Sequence, residues 1–276
     1  MTPDYLLLGH LTRDLLPDGG FAPGGTALYS ALTACRLGAR TALVSAEATL
    51  PPDWPLGVEL ALAAGPTPIF ENRYGPAGRS QILHADATPI RLEDVPPGWR
   101  AAPLVHLGPV LGETPEALVH AFPQALLGVT PQGWMRSWAT PLPAPVEYRP
   151  WRPAPALLAA IGALVLSIED VRGDEALVRS YARHCPLVAL TRGAQGATLF
   201  LGGEPHTIAA FPTGEHDPTG AGDVFAAALL LRLRETNDPL AAAHFAACTA
   251  ALSIAGPGHS RIPDRAAVER AQRANA

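Results

Sequence analysis

The chain contains no lysine: all 20 of its basic residues are arginine. A Schiff-base lysine, a P-loop lysine and the strand lysine of protein kinases are therefore excluded, together with the enzyme classes built on them. Cysteine is scarce, and Cys35, Cys185 and Cys248 are too far apart to form a C-x-x-C pair. That argues against a disulfide framework and a cysteine zinc site, and leads us to expect a reducing, cytoplasmic home. Charge is sparse as well, at 16% of residues with a net −5, and no run of one sign marks a nucleic-acid surface. Long hydrophobic runs are missing. The longest apolar stretch, residues 240–255, carries His244, Cys248, Thr249 and Ser253 and reads as a buried helix rather than a membrane span. The amino terminus lacks a charged n-region with a cleavage site, so no signal peptide is expected. No G-x-G-x-x-G follows the first strand candidate, which counts against a nicotinamide-dependent oxidoreductase. No two of the nine histidines have the spacing of a metal motif.

What is present is 276 residues, 48% of them hydrophobic, enough for one large α/β core. Tyr5 to Leu8 and Thr41 to Ser45 are compact apolar runs flanking Thr26 to Leu37, where Ala27, Leu28, Ala31, Leu32 and Cys35 fall at helical spacing before Gly38. Strand, helix, strand is the unit of a parallel sheet covered by helices. From Pro51 to Pro155 prolines are frequent and strand candidates are short (Ser80 to His84, Leu104 to Leu107, Leu126 to Val129), as in a loop-rich layer or lid. Residues 141–155 read as a linker, because their prolines interrupt any helix or central strand. Strand candidates return at Ala163 to Ser167 and Leu187 to Thr191, with a helix candidate over Asp174 to His184 between them. A hairpin over 197–210 and two apolar helices, Gly222 to Arg234 and Pro239 to Ala255, follow.

The segment Asp217-Pro218-Thr219-Gly220-Ala221-Gly222-Asp223 runs straight into the apolar stretch Val224 to Leu233. Small residues before a helix leave backbone N–H groups open to an anion, and the helix dipole adds to their field. A carboxylate in the first turn of that helix is repelled by such an anion unless it accepts a proton. A general base beside amides that neutralise a transferring phosphoryl group would explain the pairing. Alternatively, Asp223 only complements a helix start and the glycines only make a tight turn.

The seven-residue string resembles the D-T/P-x-G-A-G-D signature of the ribokinase-like, or PfkB, carbohydrate kinases. Pro23-Gly24-Gly25, with Ala31 and Leu37-Gly38, is similar to that family's G-G-x-x-x-N-x-A-x-x-x-x-x-L-G segment, and Thr191 to Gly196 is similar to its T-x-G-x-x-G nucleotide loop. The matches stand in the family's order and reach from Gly9 to the carboxyl-terminal helices. The resemblance implies a single PfkB-type kinase domain over 1–276. Its fold would be a three-layer α/β/α sandwich with a mainly parallel central sheet and a small, even reduced, β lid drawn from 10–22 and 65–110. It implies ATP-dependent phosphorylation of a sugar or polyol hydroxyl, with a nucleoside or inositol kinase, or a non-catalytic nucleotide or sugar sensor, as the alternatives. Asp223 would be the catalytic base and Gly220, Ala221 and Gly222 the anion hole. Thr191, Gly193, Gly196, Thr219 and Gly256 would line the ATP site, and Asp14, Gly24, Gly25 and Tyr29 the substrate site.

Two departures from the family pattern stand out. Tyr29 replaces a common substrate-binding asparagine, and the N-x-x-E element that organises magnesium reads Ser167-Ile168-Glu169-Asp170, leaving Asp170 and Glu169 as competing candidates. Both are hard oxygen ligands suited to magnesium. A monovalent cation, K+, is a further expectation near Gly256-Pro257-Gly258. Gln132, Trp134 and Arg136, and likewise Asn72, Arg73, Tyr74 and Arg79, are either substrate contacts or ordinary packing and surface residues. The expected partners are a small-molecule acceptor, no nucleic acid, no membrane, and either no second copy or one, as monomer or homodimer.

Overall fold

The structure is a computed structural model that describes residues 1–46, 50–52, 54–75 and 78–275. The chain begins β1 (Tyr5–Leu8), β2 (Thr12–Leu15), β3 (Phe21–Gly24), α1 (Thr26–Arg36), β4 (Thr41–Ala46), β5 (Val58–Ala63), β6 (Ile69–Gly75) and β7 (Gly78–Ala85). It continues through β8 (Leu104–Leu107), β9 (Leu126–Val129), β10 (Arg136–Ser137), β11 (Ala144–Pro145), β12 (Glu147–Tyr148), α2 (Pro155–Ala159), β13 (Ala163–Ser167) and α3 (Glu175–Ala182). It ends with β14 (Leu187–Thr191), β15 (Ala197–Leu201), β16 (Glu204–Ile208), α4 (Ala221–Thr236), α5 (Pro239–Ser253) and α6 (Arg265–Ala274).

Among the described residues nine strands form the main sheet, in the order β16-β15-β14-β13-β9-β8-β1-β4-β5. All neighbours are parallel except at the β14–β15 and β15–β16 pairs. β1 and β4 are buried along their whole length, which is why they read as unbroken apolar runs rather than as alternating ones. One face packs against α1, α4 and α5 through Leu7, Leu28, Leu32, Leu229 and Phe245; the other packs through Leu6, Leu8, Val105, Trp134 and Leu164. The result is the three-layer sandwich.

The strand order runs away from β1 in both directions, β4 and β5 on one side and β8 onward on the other. In open α/β sheets that reversal opens a crevice at the carboxyl ends of the strands. Here the backbone closes tightly on it: Gly108 donates its N–H to Leu8 O at 2.9 Å, and a Cβ on Gly9 would stand 2.5 Å from Gly108 O.

A second, five-stranded sheet of order β11-β7-β6-β2-β3 lies over that end. Phe70 and Leu83 on its inner face meet Val110 and Leu111 of the main body. The proline-rich stretch read as a linker is corrected here. Residues 144–145 add an edge strand to this sheet and 147–148 pair with 136–137, because proline is tolerated at an edge where no ladder donor is needed. The second hairpin strand sits at Glu204–Ile208 rather than 207–210. Among the described residues no helix is long and apolar enough to cross a membrane.

Candidate active site

Three helices close their amino ends with an aspartate: Asp174 bonds Leu177 N, Asp238 bonds Leu240 N and Ala241 N, and Asp264 bonds Ala267 N. α1 and α4 do not. Their N-caps are Gly25 and Gly220, at φ 87° and 77°, with no side-chain cap. Both torsions lie in the region that a side chain disfavours, and both glycines are also needed for space. A Cβ on Gly220 would stand 2.2 Å from the Tyr29 ring, and one on Gly25 2.8 Å from Thr12 Cγ2.

α1 binds the two uncapped ends into one site. From its first turns the Tyr29 ring lies against Gly220, and Ser30 Oγ donates to the Asp223 carbonyl at 3.2 Å. At its start, Gly24 is overhung by Asp14, whose Oδ2 would be 3.1 Å from an added Cβ. Asp14, Gly24, Gly25, Tyr29, Gly220 and Asp223 are thus brought to one corner of the crevice. Tyr29 fills the position with an aromatic ring that is almost wholly buried, so its ring shapes the α4 turn.

The loop before α4 is held from below. Asp217 accepts from Thr219 N at 3.0 Å and from Gly258 N at 2.7 Å, while His216 and Asp217 both donate their N–H to Ile254 O. Burial works against the charge on Asp217, but the hydrogen bonds from Thr219 and Gly258 outweigh it and hold its carboxyl below the usual range. Ala221 N donates to Pro218 O at 3.1 Å and Val224 N to Gly220 O at 2.9 Å. Of the three amides expected to face an anion, that of Ala221 is therefore engaged in the turn, and Gly222, with open space at its Cβ position, is the better placed.

On the far side of the crevice Ser167 and Asp170 form a reciprocal turn. Asp170 Oδ2 accepts from Ser167 N at 2.8 Å, and Asp170 N donates to Ser167 Oγ at 3.0 Å. Gln132 Nε2 reaches Asp170 Oδ1 at 3.0 Å, so this carboxylate is oriented by two donors, one on each oxygen, while Glu169 is exposed. Among the described residues no three His, Cys, Asp or Glu side chains cluster to hold a metal alone. That donor set suits magnesium, which keeps its waters and binds through one or two carboxylates plus substrate phosphates.

Residues 164–265 match the pfkB family carbohydrate kinase model, a span holding the Ser167–Asp170 turn, the 191–196 loop and the 217–223 string. Over that span the chain is similar to the PfkB carbohydrate kinases. It is similar to the ribokinase of Bacillus subtilis strain 168, with 40% identity over 81 residues, or 29% of this chain and 28% of that ribokinase's length. Among solved structures it is similar to a pyrophosphate-dependent myo-inositol-1 kinase converted by mutation into a myo-inositol-3 kinase (TM-score 0.77, 21% identity, 98% of this chain and 99% of that one). It is also similar to the Arabidopsis thaliana ribokinase complexed with ribose and ATP (TM-score 0.72, 20% identity, 98% and 99%).

Other expected residues have structural reasons for their identity. Thr191 ends β14 and its carbonyl accepts from Ile168 N at 3.0 Å, joining the 191–196 loop to the Asp170 turn. Gly193 and Gly196 both have positive φ, and a Cβ on Gly196 would stand 2.2 Å from Ile208 O. Gly256 is buried under the Arg261 stem, with 2.4 Å from an added Cβ to Arg261 Cγ. Trp134 is packing: its Nε1 donates to Thr114 O at 2.7 Å and its ring meets Trp151 at 4.9 Å. Arg73 is an exposed partner of Glu71. The side chains of Tyr74 and Arg79 lie outside the described residues.

Sequence reading missed a buried polar chain next to the Asp223 corner. Tyr5 Oη lies 2.6 Å from His106 Nδ1, and His106 Nε2 lies 3.1 Å from Thr130 Oγ1; Tyr5 also faces Ser30, the residue that holds the Asp223 carbonyl. Burial pushes the His106 imidazolium down to about 3. In the unfolded chain the same histidine takes up a proton near its ordinary value of about 6.5. Stability contributed by neutral His106 is therefore intact above about pH 6.5 and is lost as pH falls toward about 3, at up to roughly 1.4 kcal/mol per pH unit. Urea unfolding at pH 7 and pH 5 measures it, with His106→Gln as the control. An equal loss of stability in wild type and variant would remove His106 as the cause.

Proposed function

We propose that this chain transfers the terminal phosphoryl group of a phosphate donor to a hydroxyl of a small sugar or polyol. The observation that carries the reading is the corner itself: a first-turn carboxylate, Asp223, on a helix whose glycine cap leaves its amino end to a ligand, tied through α1 to Asp14 under the lid. Asp223 takes the proton from the acceptor hydroxyl as that oxygen bonds to phosphorus. The bond from phosphorus to the leaving phosphate oxygen breaks and its electron pair departs with the leaving group. The α4 amino end, with Gly222 at its open side, draws in the developing charge, and Asp14 orients the acceptor. Asp170 and Glu169 would hold magnesium, which supplies charge neutralisation between donor phosphates. A monovalent cation belongs to the same proposal, at the 256–258 loop.

ATP is the first donor, carried by the Thr191 to Gly196 loop. Pyrophosphate is the second, favoured by two observations. Several similar structures are pyrophosphate-dependent kinases, and the Arg261 stem covers Gly256, which the resemblance puts in the lining of the ATP site. The test is product formation from magnesium with ATP, and separately with pyrophosphate, across ribose, fructose, myo-inositol and adenosine. Turnover that needs an acceptor and one of these donors supports the reading. Donor binding without acceptor-dependent turnover for any pair favours the sensor alternative and sinks the kinase.

A further inference from the structure

A second feature of the lid extends from Asp14 to residues that have no role above. β2, β6 and β7 lie side by side, and Asp14, Asn72 and Gln81 project from their inner face, the face on which Phe70 and Leu83 pack against the body. Their head groups are joined in one row. Asn72 Nδ2 donates to Asp14 Oδ2 at 3.1 Å, and Gln81 Nε2 donates to Asn72 Oδ1 at 2.9 Å. Arg136 donates from one terminal nitrogen to Gln81 Oε1 at 2.9 Å and from the other to Val110 O at 2.7 Å. The Arg136 guanidinium also lies 5.6 Å over the Phe70 ring, which fixes its plane.

The two charged ends set the polarity of everything between them. An arginine can only donate and an ionised aspartate can only accept, so both amides must point the same way; flipping either sets oxygen against oxygen or N–H against N–H. Each amide spends one N–H and one carbonyl lone pair within the row and keeps one of each for a ligand. The strip therefore presents donors and acceptors in alternation. A hydroxyl, which both donates and accepts, satisfies adjacent members of such a strip at once, and a ring carrying several hydroxyls satisfies several.

A nucleobase would instead need a ring to stack on. The aromatic rings beside the row are covered: Phe70 by Arg136, Tyr29 of α1 by Gly220, and Tyr148 by the Arg172 guanidinium 4.9 Å over its ring. At the Arg136 end the row opens on a cavity of about 260 Å³, bounded also by Gln132, Tyr148 and Asp170. This gives an acceptor room beyond the corner where Asp14 stands.

We infer that the Asp14–Asn72–Gln81–Arg136 row is the specificity element of the acceptor site. It selects an uncharged polyol, a sugar or cyclitol with several ring hydroxyls, over a nucleoside. This rests on the kinase reading only for which hydroxyl reacts; the binding claim stands without it. Asn72 and Gln81 are the discriminating residues, and Arg136 is a positioning residue that acts through Gln81.

The test is calorimetric binding of myo-inositol, ribose, their mono-deoxy analogues and adenosine to the full chain, for wild type, Asn72→Leu, Gln81→Leu and Gln81→Glu, with thermal melts to confirm folding. Gln81→Glu keeps the shape and the Arg136 partner but removes the N–H that Asn72 needs, so it breaks the polarity without emptying the space. The expected result is that wild type prefers a polyol, binds its deoxy analogue at least 10-fold more weakly, and loses that difference in the variants while donor affinity is unchanged. Variants that rank the ligands as wild type does would overturn the inference, as would a wild-type preference for adenosine or no binding of any of these compounds. If the row variants change polyol binding but no donor gives product with wild type, the specificity element stands and the kinase reading falls.

Discussion

Asp223→Asn lowers acceptor-dependent turnover by about 10² to 10⁴-fold, the range for removal of a positioned general base, with little change in stability. The substitution keeps the volume and keeps the carbonyl that Ser30 holds at 3.2 Å, so the α4 amino end stays where it is. It also removes a negative charge from a place where an anion is to sit, so donor binding is unchanged or tighter in the variant. That split, weaker catalysis with undiminished donor binding, separates a base from a residue that only shapes the turn. Steady-state rates together with donor titration read it, and equal turnover in the two proteins would leave Asp223 as a helix-start acid.

Glu113→Ala destabilises the fold by roughly 3–4 kcal/mol, because a buried polar group left without its partner costs about 1–3 kcal/mol and several are left here. Glu113 is 1% exposed. Its Oε1 accepts from Val110 N at 2.8 Å and from His10 N at 3.4 Å, and its Oε2 accepts from Leu111 N at 2.7 Å. The carboxylate thus ties the loop after β8 to the residue after β1, at the point where the strand order reverses. His10 extends the tie, accepting from Ala46 N at 2.9 Å and contacting Thr88 O at 2.9 Å. Alanine strands these three donors without their carboxylate. A chain of this size loses about 2–4 °C of melting temperature per kcal/mol, so a drop near 10 °C is expected. Because Val110 and Leu111 carry the lid contact, acceptor binding weakens along with stability. A melting temperature within about 2 °C of wild type would show that the loop does not depend on this carboxylate.

How much of this was legible in the sequence follows from the range of each interaction. The parallel strands around Tyr5–Leu8 and Ala163–Ser167 read directly, because burial on both faces requires continuous apolar residues. The 217–223 string also read directly, because a turn into a helix is specified by adjacent residues. The lid strands Thr12–Leu15 and Phe21–Gly24 did not read as strands: Thr-Arg-Asp-Leu and Phe-Ala-Pro-Gly have neither alternation nor β-branched runs, and their pairing is supplied by neighbours. Trp134 stayed ambiguous, since a tryptophan after a strand end serves packing or binding equally well until its partners are known.

The sequence by itself determined the chemistry available: no lysine, a carboxylate one turn into a helix, glycines where the backbone must turn left-handed, and apolar runs that can only be a buried sheet. These are properties of single residues and near neighbours. Tertiary structure alone decided which distant groups meet. Ser30 reaches Asp223 across 193 positions, Tyr5 reaches His106 across 101, and Arg136 reaches Gln81 across 55. Side chains so far apart in the chain carry no mutual signal in one sequence, because their contact is created by strand order and helix packing, in which every residue of the fold takes part.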